Sequence, residues 1–125
     1  MYRLQVKTHF DAAHYIKDYP GKCSRMHGHR WEVEVVLEGK TLGNLNMLID
    51  FGEVKDLLNG LIESRLDHYL LNETLSEPHV TAEFLARWIY EWLADPCTEF
   101  EPEVRLVRVT VWESPDCCVK YYGEE

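Results

Sequence analysis

Apolar and polar residues alternate in three parts of the chain, a period of two that is typical of β-strands with one buried face. In residues 2–10 the apolar phase holds Tyr2, Leu4, Val6, Thr8 and Phe10. In residues 31–39 it holds Trp31, Val33, Val35 and Leu37, and Gly39 ends the run. The alternation therefore predicts a strand in each of these two segments.

The third alternating segment is residues 104–113, and it carries a charge in its apolar phase. One face holds Val107, Val109, Val111 and Glu113, and the other holds Leu106, Arg108, Thr110 and Trp112. A turn at Ser114-Pro115-Asp116 and a short last strand at residues 117–122 are expected to follow. A carboxylate at the end of a valine row needs a strong partner if that row points inward.

A period near 3.6 replaces the alternation in the middle of the chain and predicts two amphipathic helices. Asp50 and Glu53 have the spacing of a capping box, so the first helix is expected to begin after Asp50. Thr81 is the expected N-cap of the second helix, and Pro96 its end. The predicted buried stripes are Val54, Leu57, Leu58, Leu61, Ile62 and Leu66, then Phe84, Leu85, Trp88, Ile89, Trp92 and Leu93. The segment from residue 67 to Pro78 is expected to be a loop.

The order strand, strand, helix, helix, strand, strand predicts an α+β fold. Its simplest form is a four-stranded antiparallel sheet with both helices packed on one face. The 125 residues are expected to form a single domain, residues 1–125.

Charge and composition limit the classes of partner. A net charge of −9 argues against nucleic acid or an anionic membrane as the main partner. Apolar runs are too short to span a membrane, and the first residues lead directly into a strand pattern. The four cysteines include an adjacent pair and do not resemble a disulfide framework, so we expect a reducing, cytoplasmic setting.

The candidate chemistry centres on residues 23–31, Cys-Ser-Arg-Met-His-Gly-His-Arg-Trp. His27 and His29 lie two residues apart, so on a strand their rings share one face. His14 closes the first alternating run, and small residues precede it. Three histidines from two neighbouring strands form the ligand set of a catalytic zinc with a fourth position open. The alternatives are strand histidines that bind no metal, and a closed structural site with Cys23 as fourth ligand.

The histidine pair lies in the only basic segment of an acidic chain. Between residues 17 and 30 there are four basic residues and one acidic residue, a net charge of +3. Such a segment favours an anionic substrate and the thiolate form of Cys23, a potential base or nucleophile. The alternative is an ordinary solvated loop.

Two further places carry candidate chemistry. Asp67 precedes His68 directly, and a carboxylate beside an imidazole can orient a histidine that transfers protons. The alternative is a surface pair at the end of a helix. Glu113 is the candidate anchor for a cationic or amidine-like ligand edge, to which two donors can bind. Its alternative is an exposed carboxylate at a strand end.

These motifs together resemble the family of 6-pyruvoyltetrahydropterin and 6-carboxytetrahydropterin synthases. The matching stretches are Phe10-Asp11-Ala12-Ala13-His14, Cys23-x-x-x-His27-Gly28-His29, Asp50-Phe51, Leu66-Asp67-His68, Thr81-Ala82-Glu83 and Glu113. The three-residue gap between Cys23 and His27 resembles the bacterial carboxy-type enzyme, since pyruvoyl-type synthases usually carry a longer insertion there.

The resemblance implies a tunnelling (T-) fold, a homo-oligomer of hexamer type and an active site at a subunit interface. It implies zinc on His14, His27 and His29, with substrate hydroxyls completing the coordination. Cys23 is then the general base and His68, polarised by Asp67, the second acid/base group. Glu113 holds the pterin's 2-amino and N3 edge, with Thr81 and Glu83 as further substrate-binding residues.

The implied substrate is 7,8-dihydroneopterin triphosphate. The implied products are 6-carboxy-5,6,7,8-tetrahydropterin, acetaldehyde and triphosphate, an early step towards queuosine and other 7-deazapurines. Two rivals stay open: a pyruvoyl-type synthase, which eliminates triphosphate and keeps the three-carbon side chain, and a non-catalytic zinc-binding module.

Overall fold

The alternating segments form one antiparallel sheet in the computed structural model, which describes residues 1–123. Its strands are β1 (Tyr2–His14), β2 (His27–Gly39), β3 (Arg105–Ser114) and β4 (Cys117–Tyr121), in the order β1-β2-β3-β4. The connection between β2 and β3 carries helices α1 (Phe51–Arg65), α2 (Leu71–Thr74) and α3 (Ala82–Cys97). The predicted α+β fold, an antiparallel sheet with two long helices, is confirmed.

Both long helices begin at the predicted caps. The Asp50 carboxylate accepts a hydrogen bond from the Gly52 N–H at 2.7 Å, and the Thr81 hydroxyl accepts one from the Phe84 N–H at 3.0 Å. The Glu53 N–H instead donates to the Asp50 backbone carbonyl at 3.1 Å. The N-cap is therefore confirmed, and its side-chain oxygen satisfies the second helical N–H rather than the third.

The core lies between the helices and one face of the sheet. Most residues of the alternating rows of β1 and β2 are buried there with the helix stripes, and Phe10, Trp31, Leu58 and Ile89 are each at most 1% exposed. Tyr2, the first residue of the predicted row, is 49% exposed. Trp92 was expected in this core but is 42% exposed. The buried face of α3 is centred on Leu85, Ile89 and Leu93, so Trp92 lies at its edge.

Two local predictions about the helical region are wrong. The expected loop before Pro78 contains the four-residue helix α2, which buries Leu71 and Asn72. Pro96 does not end α3 but lies inside its last turn, and the helix ends at Cys97. Proline removes one backbone donor, and near a C-terminus that loss leaves only one more carbonyl without a partner.

A β-bulge corrects the predicted faces of β3. Leu106 pairs with Leu37 and Arg108 pairs with Val36, so Val107 has no partner opposite it in β2. One extra residue reverses the in–out phase on one side of the bulge. Leu106 consequently joins the core with Val109 and Val111, and Val107 does not.

The sheet face opposite the helices carries ion pairs. Glu34 pairs with Arg108 at 2.7 Å, and Glu38 pairs with Arg3 at 3.0 Å and Arg105 at 2.7 Å. In the described part of the chain, β1 and β4 each pair with one neighbouring strand and form the sheet edges. No helix within residues 1–123 is long and apolar enough to cross a bilayer.

Candidate active site and metal centre

The ends of β1 and β2 bring three histidines together. His14 pairs with His27 in the sheet register, and Ala12 pairs with His29, so all three rings lie on one face. The ring centroid of His14 lies 4.4 Å from that of His27 and 5.2 Å from that of His29. One ring nitrogen from each residue lies within 4.8 Å of the other two. The predicted convergence of His14, His27 and His29 is confirmed.

Backbone carbonyls orient two of these rings. Nδ1 of His14 lies 2.7 Å from the Val80 carbonyl oxygen, and Nδ1 of His27 lies 2.7 Å from that of Arg25. A carbonyl only accepts, so each Nδ1 carries the proton and each Nε2 keeps a free lone pair. This arrangement is typical of metal-binding histidines, whose second nitrogen is fixed by a hydrogen bond.

The unpaired nitrogens fit a metal ion. Nε2 of His14 and Nε2 of His29 are buried and have no hydrogen-bond partner among the described residues. A buried polar atom without a partner is costly and needs an explanation. Three imidazole nitrogens converging on one point suit zinc and similar transition metals, so the donor set fits the metal that was predicted here.

Burial favours the neutral form of His14 and His29, the form that binds metals. The pKa of His14 is lowered mainly by desolvation, against the opposing effects of the Val80 hydrogen bond and of Glu113. Desolvation also lowers the pKa of His29, with Glu113 again opposing. A lowered pKa keeps an imidazole neutral at neutral pH, and the neutral form is the one that binds metals.

Glu113 faces this group from β3. Its Oε1 lies 3.7 Å from Nε2 of His29, and its Oε2 lies 3.8 Å from Nε2 of His14. These distances are too long for hydrogen bonds, and they are compatible with a metal ion that contacts both groups. A second pairing irregularity, between Trp112 and Ser114, leaves Glu113 without a partner in β4. Bulges near active sites commonly redirect a side chain in this way.

Glu113 also borders a small depression between α3 and β4. This cavity of about 180 Å³ is lined by Ala82, Glu83, Glu113, Cys117, Cys118 and Val119. The predicted substrate residues Glu113 and Glu83 therefore share one cavity. Thr81 directly precedes Ala82, one of the lining residues, and the Thr81 hydroxyl caps α3.

Asp67 and His68 form the predicted acid–imidazole pair directly after α1. Oδ2 of Asp67 lies 2.8 Å from Nδ1 of His68, and Oδ1 accepts a hydrogen bond from the Asp11 N–H at 3.0 Å. These bonds, first that from Asp11 and then that from His68, lower the pKa of the Asp67 carboxyl. The carboxylate thus holds the proton of His68 on Nδ1 and leaves Nε2 available.

The backbone of His68 is held in an unusual conformation. Its φ is +63°, and its N–H donates to the Asp11 carbonyl at 2.6 Å. Residues other than glycine adopt this left-handed conformation uncommonly, and here the bond to Asp11 of β1 holds it in place. His68 and His29 both line an open cleft of about 490 Å³, where Ala12, Ala13 and Gly28 leave room for a ligand.

Cys23 lies on the short 3₁₀ turn Lys22–Ser24 between β1 and β2 and is half-buried. The turn is tied to the end of β1 by a 2.7 Å bond from the Ile16 N–H to the Cys23 carbonyl. Within residues 1–123, its thiol does not join the histidines as a potential metal ligand. This geometry favours the three-histidine set over a site closed by Cys23.

Fold and site together define a class: an antiparallel ββααββ protein with a three-histidine group that could hold a metal ion, beside an acid–imidazole pair. The model of the 6-pyruvoyl tetrahydropterin synthase family matches residues 3–124. The chain belongs to this family of tetrahydropterin synthases.

Named relatives and solved structures agree with this placement. The chain is 35% identical to the 6-carboxy-5,6,7,8-tetrahydropterin synthase of Synechocystis sp., over 76% of this chain and 77% of that protein. It is 24% identical to the Haemophilus influenzae protein of the same name, over 97% and 99%. The structure of Caenorhabditis elegans 6-pyruvoyl tetrahydropterin synthase superposes with a TM-score of 0.82 at 24% identity, covering 98% of this chain and 96% of that one. The T-fold predicted from the sequence is therefore confirmed.

Proposed function

We propose that this protein is a zinc-dependent 6-carboxy-5,6,7,8-tetrahydropterin synthase that acts on 7,8-dihydroneopterin triphosphate in queuosine and 7-deazapurine biosynthesis. The observation that carries the proposal is the convergence of His14, His27 and His29 beside Glu113. Further support comes from the Synechocystis relative, which bears this name at 35% identity. Of the two synthase types, we favour the carboxy-type also because only three residues separate Cys23 from His27.

The three histidines hold the metal. Nε2 of His14 and Nε2 of His29 have no hydrogen-bond partner among the described residues. Backbone carbonyls orient the rings of His14 and His27. A zinc ion bound there polarises vicinal hydroxyl groups of a substrate side chain and eases the loss of a proton from the adjacent carbon. Cys23 accepts a proton as general base. His68 donates or accepts the second proton through Nε2, with its ring oriented by Asp67.

The remaining residues bind the substrate. Glu113 accepts two N–H donors from the pterin edge, assisted by Glu83 across the same cavity and by the adjacent Thr81. Lys17, Lys22 and Arg25 are exposed on the segment between β1 and β2 and attract the triphosphate.

Product analysis tests the proposal. Incubated with zinc and 7,8-dihydroneopterin triphosphate, the protein should release acetaldehyde, triphosphate and 6-carboxy-5,6,7,8-tetrahydropterin in equal amounts. Formation of 6-pyruvoyltetrahydropterin without acetaldehyde would identify the pyruvoyl-type reaction instead. A zinc-loaded protein that leaves this substrate unchanged would support the non-catalytic zinc module. A Glu113→Gln variant is the control, because it keeps the side-chain size while losing the charge that binds the pterin.

We also predict a homo-oligomer, a hexamer with the active site at a subunit interface. Within residues 1–123, β1 and β4 each pair with only one neighbouring strand, and the outer edges of such strands pair readily with those of another subunit. Sedimentation velocity across micromolar concentrations measures the assembly directly. A stable monomer throughout that range would contradict the prediction.

A further inference from the structure

Asn72 is a buried polar side chain that no step of the proposed reaction uses. It lies on α2 and is 6% exposed. Its Oδ1 accepts a hydrogen bond from the Tyr15 N–H at 2.9 Å. Its Nδ2 lies 2.8 Å from the Tyr15 carbonyl oxygen, 3.0 Å from that of Glu77 and 3.2 Å from that of Pro78. One amide thus ties the chain just after β1 to the segment that leads into α3.

These partners determine the orientation of the amide. All three groups around Nδ2 are carbonyls, which only accept, and the group at Oδ1 is an N–H, which only donates. Among side chains of this size, only asparagine offers two N–H donors together with a carbonyl acceptor. A polar residue with all its groups satisfied in a buried position specifies one arrangement of the backbone around it.

The segment held by Asn72 carries the hydrogen-bond acceptor of a proposed metal ligand. The Val80 carbonyl accepts from Nδ1 of His14, and Val80 follows Pro78 by two residues. A second bond, from the Lys17 N–H to the Pro78 carbonyl at 3.0 Å, holds the same two stretches together. Asn72 therefore holds the segment whose Val80 carbonyl orients the ring of His14.

We propose that Asn72 is a positioning residue for the metal centre: it clamps Tyr15 to residues 77–78 and so fixes the Val80 carbonyl against His14. The inference rests on the proposed function, since it needs a metal on His14. It assigns Asn72 no contact with metal or substrate. Removing the clamp lets the Val80 carbonyl move, and His14 then loses the partner that fixes its tautomer and direction.

Asn72→Asp tests the role with the smallest change of shape. The carboxylate keeps an acceptor for the Tyr15 N–H and places a second oxygen against three carbonyl oxygens. Zinc affinity, measured by competition with a chromophoric chelator at a temperature where the variant is folded, should fall about 10- to 100-fold, the range for partners that orient a ligand. The absorption spectrum of the cobalt-substituted protein should also change, because the coordination geometry changes.

Two controls separate positioning from general destabilisation. Asn59→Asp makes the same chemical change on an exposed asparagine of α1 and should keep the zinc affinity of the parent. Leu48→Ala removes core contacts near Gly39, at the other end of β2 from His27, about 40 Å away along the strand. It should lower the melting temperature and leave zinc affinity unchanged. A Leu48→Ala protein that loses as much affinity as Asn72→Asp would overturn the inference.

Hydrogen exchange of the unsubstituted protein tests the role of Asn72 if the Asn72→Asp variant does not fold. By linkage, a clamp that strengthens metal binding is itself strengthened by the metal. Zinc should therefore slow hydrogen exchange of the Lys17 amide and of the Asn72 side-chain amide. Exchange that zinc does not change, or parental zinc affinity in a folded Asn72→Asp protein, overturns the inference alone. A parent protein that binds no zinc overturns the proposed metal centre and this role together.

Discussion

A Cys23→Ala variant is expected to keep its zinc and its fold and to lose about two to four orders of magnitude in turnover, the contribution typical of a positioned general base. Zinc stays because the histidine group does not include the thiol. The fold stays because the turn Lys22–Ser24 is anchored by the Cys23 backbone carbonyl, which the substitution leaves in place. Measuring the zinc content, melting temperature and turnover of this one variant tests all three expectations.

Cys97→Ala is the matched control. Cys97 is 2% exposed in the last turn of α3, and burial raises the pKa of its thiol to about 11. A thiol held neutral in the core is a poor base, so its loss should lower stability slightly and leave turnover intact. Wild-type turnover in Cys23→Ala would refute the catalytic role of Cys23. Joint loss of zinc and fold would instead indicate that Cys23 is a structural ligand.

The periodic signals predicted the fold because they reflect burial directly. Alternation in β1 and β2 and the two caps at Asp50 and Thr81 depend on neighbours in sequence, and both are found as predicted. The predicted faces of β3 failed where a single residue departs from the period. The bulge at Val107 depends on the pairing of β3 with β2, and a strand's own alternation contains no information about its partner's register.

In the site too, features set within one strand were predictable from the sequence, and features that depend on several strands were not. The two-residue spacing of His27 and His29 determines that their rings share a face, so this part of the histidine group was predictable from one strand. The Glu113 carboxylate also could be placed near the interior, because it continues the row of Val109 and Val111. The distance of 3.7 Å between the Glu113 carboxylate and Nε2 of His29 could not be predicted from the sequence. It depends on a second bulge and on the pairing of adjacent strands.

Asn72 shows what sequence reasoning missed. The sequence predicts a loop at this position, and asparagine is common in loops, which lie mostly at the surface. The only local signal was its position directly after the apolar pair Leu70-Leu71, and a four-residue helix is too short to produce a period. Its four hydrogen bonds reach Tyr15, Glu77 and Pro78, and the bonds to Tyr15 span 57 residues of sequence. Contacts of that separation follow from the tertiary fold alone.

The histidine group gives the last prediction: His27→Ala is expected to abolish stable zinc binding. The substitution leaves two nitrogens, from His14 and His29, and zinc in proteins is held by at least three ligands at such sites. We expect affinity to fall by more than about 100-fold, the upper range for removing a partner that merely orients a ligand. Zinc content after gel filtration and the rise in melting temperature on adding zinc measure the loss, since a ligand that binds only the native state stabilises it.

His9→Ala is the matched control, because it also removes a strand imidazole, from the exposed polar face of β1. His9 pairs with Glu32 in the register and lies outside the histidine group, so this variant should keep full zinc content and the full thermal shift. Full zinc occupancy in His27→Ala would refute the three-histidine assignment. Equal zinc loss in both variants would show that binding depends on the sheet as a whole rather than on the ring of His27.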